Sequence, residues 1–466
     1  LDVGIGEFQI PPNEIDDILP QQLLALKVGA GALTDAGFSL REPRERMGVV
    51  FGLGFDFEAT NFHLRWQLFT AVKHWNAVHG LNLDDRTMNQ WMESLRDQCA
   101  PPLTPPRVMG ALGGIVASRM AREFRFGGPS FVVSADAASG IKALQVAVDL
   151  LQEKAADAML VGAVDLAAEG RNVIRMNHFL PLSPTNAIHP FDAAADGTLP
   201  GDGAVALVLK PLAQAQIDGD RVYAVIRGIG SAGGDDPTKG RVSESTYCRS
   251  LSECFSRSDV PVASVSYVDA HGTGAPEPDR LEIAALSGFF RKSGRTDPST
   301  AIALGSTKPI TGFTGAGDGL ASLAKTALCL HHGVLPPLAG FTRAEPLDGL
   351  AERTRTFHMP DRAQPWYRDR ERGPRTACCA SITMDGNCSH VLIQEDETCA
   401  PVVKYAGPTP AIDTRAGLFV VSGNAAPQLI EGLAGLEDFL SRSPAPEPVE
   451  TAAGRWMQLH PPQSDH

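Results

Sequence analysis

Layered α/β architecture, with sheets covered by helices, is the fold class that this sequence predicts. Short apolar runs rich in β-forming residues recur along the chain, and helical patterns lie between several of them. In the first half the runs are 47–53, 131–134, 158–164, 204–209 and 222–229. Apolar residues at 141, 144, 148 and 151 keep one side of a helix buried, and Ser139 and Gly140 can begin it, giving strand, tight turn, helix. A second series follows, with strands at 265–268, 301–304, 377–383 and 391–393 and helices at 281–290 and 320–331. Gly333 stops the last of these helices.

Beyond residue 394 the character changes. Residues 395–417 read as a linker, 418–422 as one strand, 427–440 as one amphipathic helix and 444–448 as a proline-spaced tether. The charge-rich and proline-rich stretch 353–375 reads as a surface crossing.

At 466 residues the chain is long enough for a large core, or for two domain-like halves with an appendage. A composition 43% hydrophobic and 20% charged is ordinary for a soluble enzyme, and no apolar run reaches the roughly 18 to 20 residues of a membrane span. No membrane association is expected. The net charge of -13 opposes nucleic-acid binding through a general basic field, while leaving room for a local patch that accepts an acidic carrier protein. The eight cysteines show neither a CxxC pair nor zinc spacing, so no metal is expected, and reduced thiols in a cytoplasmic protein are the default. The opening LDVGIGEFQIPPNEI has no basic start and no apolar signal core, which argues against secretion, and it reads as the middle of something.

Four separated motifs carry a family resemblance: GPSFVVSADAASGIKAL at 128–144, HPFDAAADGTLPGDGAVALVLKPL at 189–212, YVDAHGTG at 267–274 and GSTKPITGFTGAGDGLASLAKTAL at 305–328. With PPNEIDDILPQQLLALKVGAGALTDAG at 11–37 and VLPP at 334–337, their order and spacing resemble the β-ketoacyl synthase (ketosynthase) family. The IPPNEI and LPQQLLALK stretches are similar to iterative polyketide and polyunsaturated fatty acid synthases. The resemblance implies a thiolase-like, duplicated five-layer αβαβα fold, normally dimeric. It divides the chain into an N-terminal half at 1–215, a C-terminal half at 216–395 and a post-ketosynthase linker and tail at 396–466. The strand and helix with which the family's first half usually opens are not shown by this sequence.

A condensing enzyme of this kind must hold an acyl chain on a thiolate, decarboxylate an extender and stabilise the resulting carbanion. By resemblance, the nucleophile position at the strand-to-helix turn is Ala137, which has no lone pair to attack with. Ser139 is read as a cap. His271 matches the first of two assisting histidines, with Gly272 and Gly274 allowing the turn that presents it. The second histidine position is Phe313, which neither donates a hydrogen bond nor exchanges a proton; Lys308 matches the lysine that organises the histidines. Asp269 and Glu282 stand where acidic residues brace the region. Met384 takes the place of a gating phenylalanine in CCASITMDGNCSH at 378–390, and Cys388 there is read as a small buried residue.

No tightly bound cofactor is implied; the expected ligand is the phosphopantetheine arm of an acyl carrier protein, with Thr273 and Thr311 placed by their motifs to touch it. Losing a nucleophile of this kind costs about 10⁴ to 10⁶ in rate. The favoured reading is a noncatalytic domain similar to a chain length factor, paired with an active ketosynthase or with itself through the strand at 130–134. Two alternatives remain: a decarboxylating or otherwise modified thioester enzyme that uses His271 and Lys308, and a ketosynthase inactivated by a Cys-to-Ala change at 137. A single engineered change does not account for Phe313 or Met384, which favours natural degeneration.

Overall fold

The computed structural model describes residues 3–57, 61–99, 101–102, 104–234, 242–292, 301–342, 356–368, 373–396, 417–423, 425–442 and 449–460. Residues Leu1–Pro401 form one compact unit and Val402–His466 another.

Two sheets organise the first unit. One contains β1 (Met47–Leu53), β2 (Ser130–Val133), β3 (Ala158–Leu166) and β4 (Asp202–Leu209), in the order β2-β1-β3-β4. The other is built from β5 (Val225–Ala232), β6 (Val265–Asp269), β7 (Ile302–Gly305), β9 (Phe357–His358), β11 (Thr376–Ile382) and β12 (Cys388–Gln394), in the order β5-β12-β11-β6-β7-β9. A small ladder pairs β8 (Val334–Leu335) with β10 (Gln364–Pro365). The sheets repeat one plan: parallel strands lead to an antiparallel last strand, β4 against β3 and β12 against β11. They differ beyond it, because β12 is flanked by β5, whereas β4 has no further strand among the described residues.

Successive side chains of a strand face opposite ways, so strands buried on both faces read as near-continuous apolar runs. Met159, Val161 and Ala163 of β3 meet Ala377 and Cys379 of β11 and Val391 and Ile393 of β12 in a shared core. Between the sheets in that core lie helices Ser139–Gln152 and Asp318–His332, through Ile141, Leu144, Leu320 and Leu323. The opposite faces are covered by helices Pro20–Asp35 and Ile115–Phe124 on the first sheet, and by Glu244–Ser256 and Pro276–Lys292 on the second. The result is the expected five layers, helix, sheet, helix, sheet, helix.

Most expected strands form within a few residues of their predicted limits. The run at 222–229 instead forms β5 three residues later, because pairing with β12 begins only at Val225 and Tyr223 donates its hydroxyl to Asp35. The surface crossing at 353–375 is corrected in part: residues 353–355 and 369–372 lie outside the described residues and 361–363 are exposed, but β9 and β10 form within the stretch, and Phe357 and Trp366 are buried, with the Trp366 indole N–H donating to Ser266 Oγ at 3.0 Å. Average composition concealed these two aromatic anchors.

In the second unit the helix expected at 427–440 is present as Ala426–Ser441, and a further helix spans Val449–Leu459. The strand expected at 418–422 does not form. With no strand beside it among the described residues, this segment lies against the helices: the Trp456 indole donates to Val420 O at 2.7 Å, and a Cβ on Gly432 would stand 2.4 Å from a Val421 methyl. The tether at 444–448 and most of the linker at 395–417 fall outside the described residues. No helix among the described residues is long and apolar enough to cross a membrane.

Candidate active site

The chain leaves β2, turns sharply and enters helix Ser139–Gln152. Asp136 takes φ +48°, an uncommon left-handed conformation for a residue other than glycine. The turn is closed by Ala138 N–H to Ala135 O at 3.0 Å and Ser139 N–H to Asp136 O at 3.0 Å. Ser139 is buried; its hydroxyl accepts from Ala135 N–H at 2.8 Å and lies 2.6 Å from Asp136 O. It therefore fastens the turn that precedes the helix, where a capping role was expected. Gly140 follows because a Cβ there would meet Ala316 O at 2.6 Å, so its absence lets the elbow approach the Gly315–Gly317 turn. Ala137 sits buried at the apex.

His271 leaves the end of β6 on a turn held by two carboxylates. Glu282 accepts His271 N–H and Gly272 N–H, both at 2.8 Å, and the Tyr247 hydroxyl at 2.9 Å. Asp279 accepts from Phe191, Thr273 and Gly274 backbone N–H groups. Burial raises the pKa of both, that of Asp279 to about 6. Gly272 has φ +46°, the conformation that lets the chain double back here.

The Lys308 ammonium lies 2.9 Å from His271 Nδ1, 2.8 Å from His271 O and 2.8 Å from Asp318 Oδ2. Lys308 and Asp318 are both buried. Ile382 N–H also points at His271 Nδ1, at 3.3 Å. With two donors aimed at Nδ1, the ring's own proton sits on Nε2. Burial, then the Lys308 charge, push the His271 pKa down, which keeps the ring neutral near pH 7. For Asp318, burial pushes upward but Lys308 and His271 prevail, so its pKa is lowered. The arrangement is a neutral imidazole holding one Nε2–H, able to donate to a thioester carbonyl.

Phe313 lies beside both the ring and the ammonium. Its centroid lies 5.8 Å from that of His271, edge to face, and 5.4 Å from Lys308 Nζ. Its backbone is clamped by Phe313 N–H to Leu199 O at 2.8 Å and Gly201 N–H to Phe313 O at 3.0 Å. Ala137, Met176 and Phe313 form one buried apolar cluster against which Met384 packs. The structure thus joins Ala137, Phe313, His271, Lys308 and Met384 in one site. Met384 is carried on the turn between β11 and β12, which Thr383 N–H to Asn387 O and the pairing of Thr383 with Asp385 keep closed.

Thr273 is buried, and its hydroxyl donates to Asp279 at 3.0 Å and accepts from Ala275 N–H at 3.1 Å. Thr311 is exposed, with its hydroxyl 2.9 Å from Gly312 O. Asp269 is a buried hub that accepts from Tyr267 (2.9 Å), Thr307 (2.8 Å), Ser322 (2.6 Å) and Lys325 (2.5 Å). Cys388 is buried, and burial raises its thiol pKa, which leaves it protonated.

Three residues escaped the sequence reading. Asp318 supplies the counter-charge of Lys308, and its signal was an acidic residue in an otherwise small and apolar run, GAGDGLASLA. Asp165, near the end of β3, accepts from Ala316 N–H at 2.9 Å, and burial raises it to about 6. Met176, in helix Gly170–Phe179, carried no signal in the sequence.

Comparison with known proteins accords with this geometry. The family described as Beta-ketoacyl synthase, N-terminal domain, matches residues 5–215, and Beta-ketoacyl synthase, C-terminal domain, matches 223–342. Polyketide synthase ThaG of Burkholderia thailandensis is 32% identical over 84% of this chain, and the Mycocerosic acid synthase-like polyketide synthase of Mycobacterium tuberculosis is 32% identical over 96%. The chain spans 6% and 19% of their respective lengths. The ketosynthase from module 6 of the bacillaene synthase of Bacillus subtilis 168 superposes with a TM-score of 0.65 at 24% identity, covering 96% of this chain and 69% of that one. For the ketosynthase from module 1 of the bacillaene synthase of Bacillus amyloliquefaciens FZB42 the values are 0.67, 22%, 95% and 71%. These structural likenesses establish the fold.

Proposed function

The chain belongs to the beta-ketoacyl synthase family, and from that premise we propose that it is a ketosynthase-like domain of a polyketide assembly line that does not condense acyl chains itself and instead serves, in the manner of a chain length factor, as partner to an active ketosynthase. The observation that carries this reading is the apex of the elbow, where Ala137 offers a methyl group and packs with Phe313 and Met176. Tethering an acyl group needs a thiolate or alkoxide at that apex. Ser139, the hydroxyl two residues on, is buried and engaged with the turn's own backbone, so it does not substitute.

The partner surface of this reading is β2. Among the described residues it pairs only with β1, which leaves its outer edge open to a partner, and Phe131 on it is exposed. A second ketosynthase fold, of this chain or another, pairs there. The ligand brought to the cleft is the phosphopantetheine arm of an acyl carrier protein, whose thioester carbonyl meets His271 Nε2–H. The resemblance of the IPPNEI and LPQQLLALK stretches supports an assembly line making polyunsaturated fatty acids as a second setting for the same role.

The intact polar group of His271, Lys308 and Asp318 favours one second reading, decarboxylation of a carrier-bound malonyl thioester without an acyl-enzyme. Mass spectrometry of the intact, unmodified protein after incubation with acyl thioesters, with carbon dioxide release followed from malonyl carrier protein, separates the readings. The scaffold reading expects neither adduct nor gas. Gas lost in His271→Ala establishes decarboxylation, and a stable acyl adduct anywhere on the unmodified protein overturns the scaffold reading.

A further inference from the structure

Of the side chains around Ala137, Met176 alone combines complete burial with freedom to change shape. Ala137 is held by the closed turn, and Phe313 by backbone hydrogen bonds on both sides. The helix that carries Met176, Gly170–Phe179, is fixed at its start by the Glu169 carboxylate, which accepts from Arg171 N–H at 2.9 Å and Asn172 N–H at 3.2 Å. Asn172 in turn donates to Ala167 O at 2.8 Å, and its amide lies 3.9 Å from Met176 Sδ. The first turn of the helix is thus locked, and Met176, one turn further, is delivered to the cluster with Ala137 and Phe313.

Protein interiors are close-packed, so an alkyl chain entering beside the elbow must displace what fills that volume. A methionine is unbranched with three rotatable bonds, which makes it the filler that moves at least cost. We propose that Met176 sets the acyl-length limit of this pocket, occupying the volume that the distal carbons of a long acyl group require and leaving room only for short acyl thioesters. The inference rests on the ketosynthase-derived reading of the site and names the substrate class that the cleft accepts.

The test places a thiol at the apex and reads chain length as a ratio within each protein. Ala137→Cys and Ala137→Cys/Met176→Ala are incubated with acetyl- and octanoyl-N-acetylcysteamine. The introduced thiolate attacks the thioester carbonyl, the new S–acyl bond forms as the bond to cysteamine sulfur breaks, and the proton ends on the released thiol. Mass spectrometry of the peptide containing residue 137 gives the rate for each probe.

Removing Met176 is expected to raise the octanoyl-to-acetyl rate ratio at least about tenfold, the scale of discrimination set by alkyl volume in an apolar pocket. A ratio that is the same in both proteins overturns the proposal. So does failure of both proteins to take even the acetyl group, since something other than Met176 would then close the site. General loosening of the fold accelerates both probes together and so leaves the ratio unchanged. Where the alanine variant does not fold, Met176→Val in the Ala137→Cys background, a smaller change, is expected to raise the ratio above that of Ala137→Cys by a smaller factor, and an unchanged ratio there overturns the proposal. The scaffold reading fails on a different readout, acylation of the unmodified protein.

Discussion

Lys308→Met tests the electrostatic argument at the site most directly. The substitution keeps the length of the side chain and removes an ammonium that lies 2.8 Å from Asp318 Oδ2, 2.9 Å from His271 Nδ1 and 2.8 Å from His271 O. The Lys308 and Asp318 side chains are only 3% and 4% exposed, so water does not replace the lost cation. Breaking a buried pair by removing one partner costs about 3 to 5 kcal/mol. The lower end is expected here, because His271 Nδ1 lies 3.5 Å from Asp318 and takes up a proton in compensation.

Two readouts follow. Urea unfolding at pH 7, followed by tryptophan fluorescence, should show a loss of about 3 kcal/mol. The pH is chosen from the sign of the linkage: Asp318 has a lowered pKa in the folded state, so its contribution is fully present above its unfolded value of 3.8 and is lost as pH falls through the folded one. Proton NMR of His271 should show its titration moving to higher pH, since a depressing charge has gone and the Asp318 carboxylate remains. In a double-mutant cycle, Asp318→Leu added to Lys308→Met should recover about 1 to 3 kcal/mol of the summed single losses. A Lys308→Met loss below about 1 kcal/mol, additive with Asp318→Leu, would refute the pairing as the organising interaction.

Asp165 and Asp279 are each raised to about 6 from 3.8, so the folded protein holds more protons than the unfolded chain between those values. Stability contributed by these groups therefore falls as pH rises from about 4 to about 6, and Asp165→Asn should flatten that part of a melting-temperature profile. Gly140→Ala should destabilise the elbow by about 1 to 3 kcal/mol, because its Cβ would stand 2.6 Å from the backbone oxygen of Ala316; urea unfolding measures the loss. In the second unit Trp456 is 1% exposed and its indole donates to Val420 O, so Trp456→Ala should cost that unit about 3 to 5 kcal/mol, seen as faster proteolysis within 417–460 with the first unit intact.

The fold was legible where burial dictates composition. β1 and β3 are buried on both faces along most of their length, which forces continuous apolar runs, and helix Asp318–His332 ends at Gly333 in the left-handed conformation that glycine favours. Legibility failed where a partner decides the outcome. Residues 418–422 have strand-forming side chains, but a strand needs a neighbour, and among the described residues none is present. At the site, Ala137, His271, Lys308, Phe313 and Met384 were found through motifs that place them far apart in sequence. Their assembly into one cluster follows from the fold. Met176 belongs to no such motif; only the approach of its helix to the elbow reveals it.

The four bonds that converge on Asp269 join the second sheet, through Tyr267, to the loop and helix that follow β7, through Thr307, Ser322 and Lys325. None of them passes through residue 137 or 313. The joint between these parts is thus mechanically independent of the reacting positions, and those positions are free to drift while the frame around them keeps its shape. Substitution at 137 or 313 therefore leaves the bracing at Asp269 untouched, and the frame persists whichever side chains those two positions carry.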